Sequence, residues 1–216
     1  MKNDPIKRAA AITDALEALY PQAECALRYD GDPWRLLVMG RLSAQCTDAR
    51  VNTVCKALFE RYPDCNAMAE ADPAELEKLV YSCGVYKVKA ANIRDFSVII
   101  RDRFHGQVPD TMEELLTLPG VGRKIANLIL GDIWKKPAIV ADTHCIRISQ
   151  RLGLCDSADP VKVERALIPL IDPARSADFC HRIVLFGREY CMARSPRCKE
   201  CPLAQSGLCG GIEKHA

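Results

Sequence analysis

An Asp-Pro pair recurs ahead of runs of helix-forming residues, at Asp32-Pro33, Asp72-Pro73, Asp159-Pro160 and Asp172-Pro173. The aspartate accepts from the first amides of a helix, and the proline fits its first position, where no N–H is needed. Proline fits neither the middle of a helix nor a central strand. A chain punctuated this way is cut into helices. Ile6 to Tyr20 has apolar residues at helical spacing and ends at Pro21. A second helix runs through Trp34, Leu36, Leu37, Val38 and Leu42. Thr47-Asp48 caps a third, to about Arg61, stopped by Pro63. The fourth carries Leu76, Leu79 and Val80 and ends at Gly84; Val85 to Phe104 is the fifth. Strand signals are weak, no repeat appears, and the expectation is an all-α chain of roughly ten helices.

Leu118-Pro119-Gly120-Val121-Gly122-Arg123-Lys124-Ile125-Ala126 interrupts this pattern with two glycines around one apolar residue. Glycine takes positive φ without steric cost and lets a ligand approach the backbone. Upstream, Thr111-Met112-Glu113-Glu114 has the form of a capping box. The unit reads helix, tight hairpin, helix, to about Trp134. The start of its second helix is a site for an anion, most simply a phosphate.

Lys124 falls in the first turn of that second helix. Most helix lysines are merely solvated, but the positive helix end disfavours a cation. A free lysine is only about 0.1% neutral at pH 7.5, and an amine nucleophile must be neutral. Helix-end placement and partial burial would both raise that fraction. Lys135-Lys136-Pro137 then breaks the helical pattern and marks a domain crossover. Ala138 to Ala141 is an apolar connector too short for a helix, and Asp142-Thr143 caps a helix through Ile146, Ile148 and Leu152. Asp142 reads first as an N-cap. Geometry adds a second use. The helix from Gly122 to Trp134 travels about 18 Å, and the following eight residues can return roughly 27 Å. Asp142 can therefore reach the helix start, where a carboxylate stabilises a developing cation or relays protons.

The 216 residues carry a formal charge of +2, so a nucleic-acid role must rest on a local patch. No apolar run is long enough to span a membrane. Met1-Lys2-Asn3-Asp4-Pro5 leads into charged helical sequence without a signal-peptide apolar region, and the protein is expected to be intracellular. Twelve cysteines are then not six disulfides. Eight are scattered, mostly in apolar helical runs. Cys191, Cys198, Cys201 and Cys209 crowd into one C-terminal loop. Four thiolates there can hold zinc or an iron–sulfur cubane. A single Cys-x-x-Cys knuckle with irregular flanking gaps favours the cubane, [4Fe-4S]. From Arg175 to Cys201 six basic residues face three acidic ones. Arg194, Arg197 and Lys199 in the cysteine loop are candidates for phosphate contacts.

Leu118 to Lys124, Asp142-Thr143-His144, the cysteine loop, and Leu42-Ser43-Ala44-Gln45 with Thr47-Asp48 stand in the order found in a known family. From about Asp32 to Cys209 the chain resembles the endonuclease III family, iron–sulfur DNA glycosylase/lyases of the helix–hairpin–helix superfamily. The resemblance implies two helical domains with a DNA-binding cleft between them. One is a six-helix domain over 25–136; the other is an iron–sulfur cluster domain formed by 1–24 plus 137–216. Lys124 matches the catalytic lysine and Asp142 the catalytic aspartate. Gln45 matches a residue that fills the gap left by an extruded base. Gly84-Val85-Tyr86 matches the loop that wedges between bases, where the family often has leucine in place of Val85. A side chain must hold open the hole that base flipping creates. The resemblance extends DNA contact to Gly120, Gly122, Arg123, His144 and Arg147. Three departures stand out. The last cysteine gap is seven residues where five is usual, Ala141 replaces a valine before Asp142, and Ile125 replaces a threonine after the lysine.

The implied activity is removal of oxidised pyrimidines and strand cleavage 3′ to the abasic site by β-elimination. The implied partner is double-stranded DNA with damaged pyrimidines or abasic sites, met by a monomer in a prokaryotic-type cytoplasm, nucleoid-associated. An adenine-mismatch glycosylase generally lacks this lysine and carries a further C-terminal domain, for which 216 residues leave no room. A monofunctional glycosylase for alkylated or mismatched bases is a nearer rival in length, and Lys124 speaks against it. A non-catalytic DNA-structure-binding protein would not need both Lys124 and Asp142.

Overall fold

The computed structural model describes residues 4–209; Met1-Lys2-Asn3, part of the stretch read above for a targeting signal, lies outside them. Every regular element among the described residues is helical. In order they are α1 (Pro5–Leu19), α2 (Pro33–Leu42), α3 (Asp48–Arg61), α4 (Cys65–Ala69), α5 (Pro73–Val80), α6 (Tyr86–Arg103), α7 (Met112–Leu115), α8 (Arg123–Asp132), α9 (Thr143–Arg151), α10 (Pro160–Leu167), α11 (Ser176–Glu189) and α12 (Pro202–Gln205). None of the described helices is long and apolar enough to cross a membrane.

The aspartates do what their position predicts. Asp32 Oδ1 accepts from the Trp34 and Arg35 amides at 2.8 and 3.1 Å. Asp72 accepts from Glu75 N and Asp159 from Lys162 N, each at 2.9 Å. Each such cap is worth about 1 kcal/mol. Asp172 behaves differently, because it opens a 3₁₀ turn, Pro173–Arg175, and α11 begins only at Ser176. The short helices α4 and α12 have no long apolar period to announce them.

The chain divides into two compact units, Cys25–Trp134 and the residues through Glu24 together with those from Lys135 onward. In the first unit α6 packs on α2, α4 and α5, and α8 packs on α2 and α7. Leu36, Leu37 and Leu42 of α2, Phe96 and Ile100 of α6 and Ile129 of α8 are fully buried. Gly40 lets α2 and α8 approach: a Cβ there would stand 3.3 Å from Ile125 Cγ2. Ile125, one of the three departures, is thus a packing residue. In the second unit α1 and α9 both pack on α11. Ile12, Leu16, Ile148, Phe179, Ile183 and Leu203 belong to its core.

Candidate functional site

The hairpin is built from α7, a turn and α8. The Thr111 hydroxyl caps α7 from the Glu114 amide and donates to Glu114 Oε2 at 2.8 Å. The reciprocal partner in this capping box is the hydroxyl. The Val121 amide closes the turn on Leu118 O at 3.1 Å. Pro119 and Gly120 take the central positions, and Gly120 has φ +74°, as a turn with proline then glycine demands. The turn rests on two side chains. A Cβ on Gly120 would fall 2.4 Å from Asn92 Oδ1 and 2.5 Å from Arg41 Nε, atoms that bond each other at 2.9 Å. Burial lowers the pKa of Arg41. Gly122 differs: its φ is −99°, and a Cβ there would meet nothing within 4 Å. It starts α8 without a side-chain cap. Lys124 stands exposed in the next turn, without the partial burial expected, and Arg123 is half-buried.

Two turns in the same unit carry the residues that the resemblance marks as gap-filling. Gln45 is exposed with φ 55°, and Val85 is 60% exposed with φ 45°. Left-handed backbone is a genuine outlier for a β-branched side chain. The Tyr86 ring lies 4.8 Å from that of Tyr81, tilted by 56°. Between the two turns is a residue the sequence analysis did not single out, Lys89, 1% exposed. Its Nζ donates to the carbonyls of Leu42, Ala44 and Cys83. Burial lowers its pKa, and the neighbouring Cys83 works against that. Cys83 is itself pushed up to about 11 by burial and then by Cys46. One signal could have exposed Lys89: it occupies a core position on the buried stripe of α6 with Ile93, Phe96 and Ile100.

In the second unit the connector is pinned to α11. The Ala138 amide donates to Ser176 Oγ at 3.0 Å and the Val140 amide to Cys180 Sγ at 3.2 Å. Asp142 emerges half-buried as the N-cap of α9, its Oδ1 accepting from the Cys145 amide at 2.7 Å. Gly187 lets α9 lie against α11, since a Cβ there would stand 2.5 Å from His144 Nδ1 and 3.0 Å from Arg147 Nη2. Arg147 turns onto the protein. Its guanidinium donates to Cys191 O, at 3.0 Å from Nη2, to Thr143 O at 3.3 Å, and bonds the His144 ring. Arg151, which the sequence analysis missed, donates to Met192 O at 2.7 Å and to Cys191 Sγ at 3.3 Å. These two arginines tie α9 to the cysteine loop.

Cys191, Cys198, Cys201 and Cys209 line one small cavity, walled by Phe186, Leu203 and Ala204. The seven-residue gap therefore still brings Cys209 to the other three. All four are free thiols. Arg194, Arg197 and Lys199 are exposed on the same loop; Arg197 pairs with Glu200 and lies over the Tyr190 ring.

Residues 38–173 match the family model described as "HhH-GPD superfamily base excision DNA repair protein". The chain belongs to this superfamily. Within it the resemblance is to endonuclease III. The chain is 49% identical over 199 residues to the endonuclease III of Synechocystis sp. and 41% identical over 199 residues to that of Bacillus subtilis. Each alignment covers 92% of this chain and 90% of the relative. A solved structure of a trapped endonuclease III–DNA covalent intermediate in an estranged-adenine complex superposes with a TM-score of 0.89 at 39% identity. That match covers 96% of this chain and 97% of the other. The chain is a base excision repair DNA glycosylase/AP lyase of the HhH-GPD superfamily. The matched span of the family model contains Gln45, Val85, the hairpin, Lys124 and Asp142; the cysteine loop follows it.

Proposed function

We propose that this chain excises oxidised pyrimidines from duplex DNA and cleaves the strand at the resulting abasic site, with Lys124 as nucleophile and Asp142 as its electrostatic partner. The observation that carries this reading is an accessible amine in the first turn of α8, directly after a turn whose helix start lacks a side-chain cap. The Lys124 amine attacks C1′ of the extruded nucleotide, and the base leaves with the electron pair of the glycosidic bond. The Asp142 carboxylate stabilises the cationic sugar. The nitrogen lone pair then expels O4′, which takes up a proton as the sugar ring opens. The protonated imine left at C1′ acidifies the C2′ hydrogen, and loss of that proton expels the 3′ phosphate. The chemistry requires Lys124 and Asp142 at one sugar, which the length of the chain from Trp134 to Asp142 allows. Gln45, Val85 and Tyr86 fill the vacated place in the stack. Gly120, Gly122, Arg123 and His144, with Arg194, Arg197 and Lys199, contact the backbone. The working form is a monomer, organised as domains over 25–136 and 1–24 plus 137–216, in a prokaryotic-type cytoplasm on the nucleoid.

Cys191, Cys198, Cys201 and Cys209 are the ligands we assign to a [4Fe-4S] cluster. One observation supports the fit: all four line one cavity. When bound, the cluster cross-links the loop and leaves the glycosylase steps to Lys124 and Asp142.

Borohydride reduction on DNA with an abasic site tests the nucleophile. Wild type is expected to give a covalent adduct, and Lys124→Gln to lose it with at least a roughly 100-fold drop in strand cleavage. An undiminished adduct in that variant would falsify the assignment. A protein that excises bases but never traps would be a monofunctional glycosylase.

A further inference from the structure

Lys89 sits on the core-facing stripe of α6, yet it is charged. An ammonium has three donors and no acceptor. All three find carbonyls: Leu42 O at 2.8 Å, Ala44 O at 2.6 Å and Cys83 O at 2.6 Å. Its backbone amide also donates, to Val85 O at 3.2 Å. The acceptors come from two turns far apart in sequence. Leu42 and Ala44 lead into Gln45; Cys83 and Val85 flank Gly84. Gln45, Gly84 and Val85 all have positive φ, at 55°, 65° and 45°. Neighbouring structure must hold such conformations in place, and Val85, the N-cap of α6, offers no side-chain cap.

We infer that Lys89 is a positioning residue that fastens the Gln45 turn and the Gly84-Val85 turn into one wedge, fixing the spacing at which both side chains enter the duplex. The inference rests on the reading of Gln45 and Val85 as gap-filling residues. A Lys89 that only filled core volume could be replaced by methionine of similar length. The geometry gives the ammonium a task methionine cannot perform, because three carbonyls from two segments need one donor group at their centre. Loss of that group lets each turn settle independently. Base extrusion then suffers, while chemistry on a sugar that needs no extrusion does not.

The test compares two substrates on the full-length protein. One is duplex DNA with a paired damaged pyrimidine; the other is a single-stranded oligonucleotide with an abasic site. For Lys89→Met, kcat/KM for excision from the duplex is expected to fall at least tenfold. Borohydride trapping on the single strand should stay within twofold of wild type. 2-Aminopurine beside the lesion should lose its flipping signal in the same variant. Lys89→Arg, which keeps charge and donors, should recover part of the duplex activity. Equal losses on both substrates would reduce Lys89 to a core residue and overturn the proposal, as would no loss on either. Lys89→Gln serves as the second variant if methionine disturbs folding. Loss of helical circular dichroism in both would also overturn it. A Gln45→Ala/Val85→Ala variant separates the underlying reading. Full duplex excision there removes the wedge itself, whereas impaired excision there with a normal Lys89→Met variant removes only the role given to Lys89.

Discussion

The Oδ1 oxygen of Asp142 already accepts the Cys145 amide at 2.7 Å, so its hydrogen bond holds α9, and the proposed chemistry would use its charge. Substitution can separate the two. Asparagine caps a helix as well as aspartate does but carries no charge. Asp142→Asn is therefore expected to melt within about 0.5 kcal/mol of wild type and to excise damaged bases about 100-fold more slowly. Asp142→Ala should show the same slow excision and lose about 1 kcal/mol in addition. Thermal melts run beside single-turnover excision decide the matter. A fully active Asn variant would remove Asp142 from the chemistry. The cap was readable from the residue order alone, because it joins neighbours three positions apart. The inward turn of Arg147 onto Cys191 O was not, since the two lie 44 residues apart.

At the scale of the element, the hairpin gives its two glycines different duties. Gly120 needs its positive φ and also the absence of a side chain, with Asn92 and Arg41 directly behind it. Gly122 has an ordinary extended backbone and open space at its Cβ position. Gly120→Ala is expected to cost about 1–3 kcal/mol, from the left-handed φ and the displaced Asn92–Arg41 pair. Gly122→Ala should change stability by less than about 0.5 kcal/mol yet weaken DNA binding, because a phosphate that approaches the start of α8 would meet the new methyl. Urea unfolding and binding isotherms on the same two variants separate fold from function. Unchanged DNA affinity in Gly122→Ala would mean that no phosphate comes close there. The Gly-x-Gly pattern marked the hairpin in the sequence, but it made the two glycines look equivalent. The difference comes from what stands behind each one.

At the scale of the whole molecule, the proposed cluster would link stability to DNA affinity. After α11 the loop contains only a 3₁₀ turn, Cys198–Glu200, and the four residues of α12. It nevertheless inserts Leu203, fully buried, into the core of its unit and displays Arg194, Arg197 and Lys199 on its surface. Arg147 and Arg151 tie the loop to α9, and a metal would staple it further, as in other small folds. The purified protein is expected to absorb near about 400 nm, as thiolate-bound iron–sulfur centres do. Cys201→Ala should lose that band, melt earlier, and bind DNA with a shallower dependence on salt as the loop's cations lose their arrangement. A colourless wild-type protein containing zinc would refute the cluster assignment.

The helices and their starts follow from short-range chemistry. Asp-Pro caps, the Gly-x-Gly turn and the spacing of the four cysteines act between residues a few positions apart, so the residue order alone determines them. The short helices α4 and α12 escaped because they carry too few residues to show a period. The tertiary structure decided what joins distant parts of the chain. Lys89 meets Leu42 across 47 residues, and Arg151 meets Cys191 Sγ across 40. It also set the left-handed backbone at Gln45 and Val85, neither of them glycine. Such contacts depend on which helix faces which, and that is settled by the packing of whole apolar faces, beyond the reach of any local pattern.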